Sequence, residues 1–295
     1  MGLMTGTGPL GKDPAGGFNF EVPPAGGALY LEPTAKRIRA ELEGVVVADS
    51  VRAFLLHESG HQPVYYFPPD DVRTDLLEPS PRRASVATKG EATFFTVRAG
   101  DEVVHNGAWT YDEPPPEAPP ALKGLVAFYF NRMSRWLEES HEIHTHPRDP
   151  YTRIDVLESD RHIRISLGGT VLAETDRALG VFETSLPVRW YLPIEDVHAS
   201  LTPTDTVTRC PYKGEASYYS VQVPGGEDGR DLVWYYEEPY DEVRRVKGLV
   251  CFFNEKVDIE LDGVLQPRPE SAWNGRVGSP HLRGAQNEDP VVTRG

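Results

Sequence analysis

The chain has 295 residues, with 30 Lys and Arg against 45 Asp and Glu, a formal net charge of -15 and a sequence pI of about 5.1. Such acidity repels phosphate backbones and anionic lipid, so neither nucleic acid nor a membrane surface is expected as a partner. Two cysteines, neither in a CxxC pair, exclude a disulfide framework and leave no zinc expected, and without any long apolar run or signal-like N-terminus the expected location is cytoplasmic.

In chain order, residues 1–28 read as a Gly/Pro-rich arm. It contains GTGPLGKD (6–13), which fits most of the phosphate-loop pattern GxxxxGK[ST]. No strand can precede Gly6, Pro9 removes an amide donor, and Asp13 stands where a magnesium-binding hydroxyl is needed, so the match is a decoy.

Residues 29–139 and 154–263 then read as two copies of one domain. Segment 37–72 aligns without a gap against 162–197, with 13 of 36 pairs identical, which is too many for chance and sets an offset of 125. Further on, VATKGEATFFTV (86–97) matches CPYKGEASYYSV (210–221), and KGLVAFYF (123–130) matches KGLVCFFN (247–254). The periodicity inside each copy is two. IRISL, Gly168-Gly169 and TVLAE predict a hairpin, and SYYSVQV, LVWYY and GLVCFF predict strands. The fold class expected is mainly β, two small antiparallel domains with few short helices.

Between the copies lies an expected linker, 140–153, in which His141, His144 and His146 have acidic neighbours. HxxHxH on an irregular segment fixes no tetrahedral geometry, so a solvated hinge is expected rather than a metal site. After the second copy a polar tail, 264–295, is expected to be mobile.

Candidate site residues are those matched in both copies. Four of only seven lysines form two such pairs, Lys89/Lys213 and Lys123/Lys247, each followed by glycine, in a chain that otherwise prefers Arg. Beside them stand Arg52/Arg177, Glu58/Glu183, Glu91/Glu215, Tyr66/Tyr191, Trp109/Trp234 and Tyr111/Tyr236. Two readings of the Lys-Gly-Glu segment stand together: a turn entering a strand, or the cationic rim of an aromatic pocket. Cys210 precedes it only in the second copy. There it is either a thiol activated by Lys213 or a small apolar residue equivalent to Val86.

The ordered motifs CPYKGEASYY, VWYYEEPY and KGLVCFFNEKVDIELDG resemble the family known as domain of unknown function 427. The first copy departs from that pattern at Val86, Ala87 and Thr88. The resemblance implies a β-tent-type fold similar to the ligand-binding domain of cereblon, in bacterial proteins that include tandem members. Relatives of that fold hold zinc on two CxxC pairs, absent here. The family is sometimes labelled nucleotidyltransferase, yet neither KxDG nor a GS-plus-carboxylates pattern is present. The function expected is binding of a small planar or anionic metabolite by one or both repeats. An enzyme of nucleotidyltransferase or thiol type and a structural, partner-binding tandem are the alternatives. Cofactor and oligomeric state are not legible.

Overall fold

The computed structural model describes residues 2–11, 14–22, 27–223 and 229–269. It divides into two compact units, the first ending at Asp149 and the second beginning at Pro150.

The first unit contains β1 (Leu29–Pro33), β2 (Ile38–Leu42), β3 (Val45–Ser50), β4 (Phe54–Glu58), β5 (Val64–Phe67), β6 (Leu77–Val86), β7 (Gly90–Ala99), β8 (Glu102–Tyr111), β9 (Val126–Phe128), β10 (Arg135–Glu138) and β11 (His141–Ile143). The second contains β12 (Ile154–Glu158), β13 (Ile163–Leu167), β14 (Thr170–Thr175), β15 (Leu179–Glu183), β16 (Arg189–Pro193), β17 (Leu201–Cys210), β18 (Gly214–Val221), β19 (Val233–Tyr236), β20 (Leu249–Phe252), β21 (Asp258–Leu261) and β22 (Val264–Leu265). Each unit builds a seven-stranded and a four-stranded antiparallel sheet. Their orders are β1-β4-β5-β9-β8-β7-β6 with β11-β10-β2-β3, and β12-β15-β16-β20-β19-β18-β17 with β14-β13-β21-β22. The two orders correspond strand for strand, so the fold is mainly β and repeated, and the helical content among the described residues is short 3-10 turns.

Period-two patterning explains the layers. In the first unit Leu55, Phe67, Val97 and Phe128 face Ile38, Val47 and Trp136 of the smaller sheet, while Leu56, Tyr66, Phe94 and Trp109 fill a second cluster on the opposite face of the large sheet. Central strands buried on both faces lose their alternation, which is why VYYF and VWYY are continuous apolar runs. The smaller sheet turns at the hairpin Gly168-Gly169, both with positive φ, and at Glu43-Gly44 in the first unit.

Several pieces between the repeats and at the start are built into the units. Met4 is buried and its carbonyl accepts from Gly60 N at 2.7 Å, while Ser59 Oγ donates to Leu10 O at 2.6 Å, so the arm's first residues sit on the β4–β5 turn. Lys12 and Asp13 of the phosphate-loop match, residues 224–228 of the second hairpin, and the tail from residue 270 lie outside the described residues. His141 belongs to β11, which pairs with β10, and His146 Nδ1 bonds Pro147 O at 2.6 Å. The large sheets are edged by β1 and β6 in the first unit and by β12 and β17 in the second, and β6 and β17 are the long edges. Each breaks register near a proline, between Pro79 and Arg83 and between Pro203 and Val207.

The two Lys-Gly pairs have different jobs. Gly90 and Gly214 open β7 and β18 at φ +87° and +101°, and a Cβ there would lie 2.9 Å from Glu113 O and 3.2 Å from Glu238 O. Gly124 and Gly248 also have positive φ but face open space. Gly90→Ala is therefore expected to cost about 2–3 kcal/mol, and Gly124→Ala or Gly248→Ala only about 1 kcal/mol from backbone strain. Urea unfolding of the three variants checks the order.

Candidate functional site

The lysine of each Lys-Gly-Glu segment and the matched Glu58 or Glu183 converge on the face of each large sheet that points away from the small one. In the first unit Lys89, in the β6–β7 turn, donates to Glu58 at the end of β4, and both side chains are buried. Lys213 and Glu183 repeat this contact in the second unit. In the sheet order, β4 and β7 are four strand steps apart. At about 4.8 Å per step a flat sheet would separate them by about 19 Å, too far for two side chains to bridge, so the sheet coils around the pair.

Aromatic rings line the inside of that coil. Trp109 Nε1 donates to the Tyr66 hydroxyl at 3.1 Å and Trp234 Nε1 to the Tyr191 hydroxyl at 2.9 Å, with the rings perpendicular in both units. Tyr129 and Phe253 pack on the two indoles with centroids 4.7 and 4.6 Å apart. Tyr111 and Tyr236 are buried, and Lys89 Nζ lies 6.0 Å from the Tyr111 ring centroid. Satisfying each indole N–H with a tyrosine oxygen lets large rings be buried without an orphaned donor.

The electrostatics of the second corner follow from desolvation and pairing. Burial works against the Lys213 ammonium, yet negative charge beside it, the Cys210 thiolate when formed and the contacting Glu183 carboxylate, carries it above the ordinary lysine range. Burial likewise raises the hydroxyls of Tyr66, Tyr191 and Tyr236 and the thiol of Cys251. Lys213 is thus a fixed donor and Tyr191 and Tyr236 fixed neutral groups at neutral pH.

The two corners differ at their mouths. The Lys89 side chain is 1% exposed and that of Lys213 12%. Val86 is buried, whereas its counterpart Cys210 is half-buried on the inward side of β17, the side that carries Thr208. The first corner also leaves Glu58 Oε1 and Thr88 Oγ1 buried with no hydrogen-bond partner among the described residues. In the second, Tyr212 stands where the first has Thr88.

The remaining matched residues lie elsewhere. Arg52 is exposed and clasps Asp71 at 2.6 Å, while Ser50 Oγ donates to the same carboxylate at 2.7 Å. Arg177, Asp196 and Thr175 repeat the arrangement at 2.7 and 2.6 Å. This clasp pins a 3-10 turn to the end of β3 or β14, and it holds both carboxyls below the usual range, Asp71 chiefly through Arg52 and Asp196 chiefly through Thr175. Glu91 and Glu215 are exposed and face Arg83 and Arg209 across the β6–β7 and β17–β18 hairpins. Lys123 and Lys247 pair on the surface with Glu113 and Glu238.

A buried pair that the matched residues do not include is Arg189 with Glu255. It is bidentate at 2.7 and 2.8 Å, and the guanidinium lies 5.5 Å from the Trp234 ring centroid. Val64 and Asn131 hold the equivalent positions in the first unit, so comparing the copies hides it. An Arg opening an aromatic strand is the signal that was present.

A family described as a domain of unknown function (DUF427) matches residues 30–139 and again residues 155–263. A search of curated proteins found no match.

Removing one member of a buried pair strands the other charge. Lys213→Met is expected to lose about 3–5 kcal/mol, whereas Glu183→Leu with Lys213→Met recovers most of it, because a well-packed apolar pair substitutes for buried ions at little net cost. Chemical denaturation of wild type, single and double variants measures the difference. A single variant as stable as wild type contradicts the buried pairing.

Proposed function

This chain belongs to the family described as domain of unknown function DUF427 and carries its domain twice; on that premise we propose that it is a non-catalytic cytoplasmic protein that binds a small planar metabolite at the Lys213 corner of its second repeat. The observation that carries this reading is the buried contact of Lys213 with Glu183, which holds the ammonium protonated. A nucleophilic or proton-transferring lysine needs its pKa lowered toward neutrality, and Lys213 is displaced the other way. Glu183 neutralises the ammonium, which favours a planar ligand over an anionic one. Tyr218, Tyr236, Trp234 and Phe253 supply the faces on which a flat ring rests, with Tyr218 and Phe253 stacked at 10° and 6.4 Å between centroids. The second repeat is preferred because its corner is the less sealed of the two.

Thiol chemistry at Cys210 is the second reading, favoured by one observation: the half-buried thiol lies within charge-interaction range of the Lys213 ammonium. In the binding reading, alkylating Cys210 blocks the ligand and abolishes no turnover.

The test is a metabolite panel scored by thermal unfolding. A ligand at a hundredfold excess over its dissociation constant adds about 2.7 kcal/mol of stability. At least one planar compound is expected to shift the wild type but not the Glu183→Leu/Lys213→Met variant. The reading fails if no compound shifts the wild type, or if every shift is the same in both proteins.

A further inference from the structure

The second unit also holds a cleft of about 460 Å³, sharing no residue with the Lys213 corner. That volume falls in the range of about 300–1,000 Å³ usual for small-molecule sites. Its walls are Leu157 of β12, Phe182 of β15, Trp190 of β16, Ile259 of β21 and Asn254, which follows β20. Gly180 makes this wall possible. A Cβ there would stand 2.7 Å from the Phe182 ring and 3.0 Å from the Trp190 ring, so only glycine lets both rings lie over the strand.

Strand register identifies the same place in the first unit. Ile259 pairs with Ile165, and Trp136 pairs with Ala40, which is 125 residues before Ile165. Asn254 and Phe130 stand three residues beyond Cys251 and Ala127, the partners of Tyr191 and Tyr66. Trp190 and Tyr65 immediately precede those tyrosines. In the first unit Trp136 stacks on Phe130 with centroids 5.0 Å apart and planes 5° from parallel, and on Tyr65 at 6.2 Å. The Trp136 indole N–H donates to Phe130 O at 3.0 Å, and only about 50 Å³ of cavity remains. The first repeat therefore fills this place with its own indole. The second has Ile and Asn in place of Trp and Phe, and the space is open.

We infer that the second-repeat cleft binds a neutral bicyclic heteroaromatic carrying a ring N–H, seated where the first repeat seats the indole of Trp136. Asn254 supplies the matching acceptor. Its Nδ2 donates to Val188 O at 2.8 Å, while its Oδ1 is buried and accepts from no donor among the described residues. A buried acceptor of this kind discriminates for a ligand that brings a donor. The charges at the rim are already balanced, Arg161 against Asp262 at 2.7 Å and Arg268 against Asp258 at 2.8 Å, so an anionic ligand gains no free cation. Phe182 is 40% and Leu157 52% exposed, leaving apolar edges at the mouth for a ring to cover.

The full chain is titrated with indole, 1-methylindole and indole-3-acetate by isothermal calorimetry and saturation-transfer NMR. Saturable indole binding is expected, weakened about tenfold for 1-methylindole, which lacks the donor, and weaker also for the anionic acetate. Asn254→Phe with Ile259→Trp transplants the first repeat's stacked pair and is expected to abolish binding. Phe182→Ala, at the exposed rim, is expected to weaken it about tenfold while leaving the thermal midpoint unchanged, and it carries the comparison if the double variant does not fold. Glu183→Leu/Lys213→Met is expected to bind indole like wild type, which separates this site from the Lys213 corner. Absence of saturable indole binding, equal affinity for 1-methylindole, or binding undiminished in the cleft variants overturns the inference.

Discussion

Each repeat is organised around one ammonium and one carboxylate that must find each other inside a desolvated corner. Neither charge is tolerable there alone, since an unpaired buried ion costs several kcal/mol. The partners sit at opposite sides of a stack of five strands, β4 through β7 in the first copy and β15 through β18 in the second. A slip of one residue in any intervening strand would turn its side chains to the other face and carry the pair out of register. The ion pair thus adds less to stability than to uniqueness. It selects the one coiling of the sheet in which Tyr66 or Tyr191 can also accept from its tryptophan.

Duplication lets the two copies share this frame and differ in what the frame encloses. The first copy is closed twice over: Val86 and a fully buried Lys89 seal the corner, and Trp136 with Phe130 occupies the lateral space. The second copy loosens both places with small changes, Cys210 for Val86, Asn254 for Phe130 and Ile259 for Trp136. The first copy also gives His57 where the second gives Phe182. His57 is buried and bonds Glu32 at 2.9 Å, a polar tie that closes the edge between β1 and β4. Phe182 makes no such tie and turns an aromatic edge outward.

The fold was legible because the chain states it twice. Matched segments and period-two runs mark the strands, and the Gly168-Gly169 turn is written in the residues themselves. The Lys-Gly-Glu segment was legible only as an alternative between turn and pocket rim, and both halves of that alternative have a residue: Gly90 and Gly214 make the turn, and Lys89 and Lys213 go inside. What hid their burial was distance along the chain, since Glu58 is 31 residues from Lys89. Glu91 and Glu215, adjacent in sequence, face out on the alternate side of the strand. The linker reading of 140–153 met a different obstacle. His141–Ile143 is a three-residue edge strand, and its pairing with β10 rests on backbone hydrogen bonds that side-chain patterning does not announce. Arg189, Glu255, Asn254 and Ile259 were hidden from the comparison of the two copies for the opposite reason. Likeness between the copies does not mark the positions where one copy has changed its use.

Two nearly identical sheets on one polypeptide face a hazard that single domains escape. During synthesis the outer strand of one copy meets the matching strand of the other at high effective concentration, and strand exchange between neighbours is a characteristic failure of tandem proteins. The prolines of β6 and β17 bear on this. Pro79, Pro81 and Pro203 cannot donate to a foreign strand, and the register breaks beside them interrupt the straight row of amides that a ten-residue edge would otherwise present. The irregular edges therefore make β6 and β17 poor templates for a foreign strand.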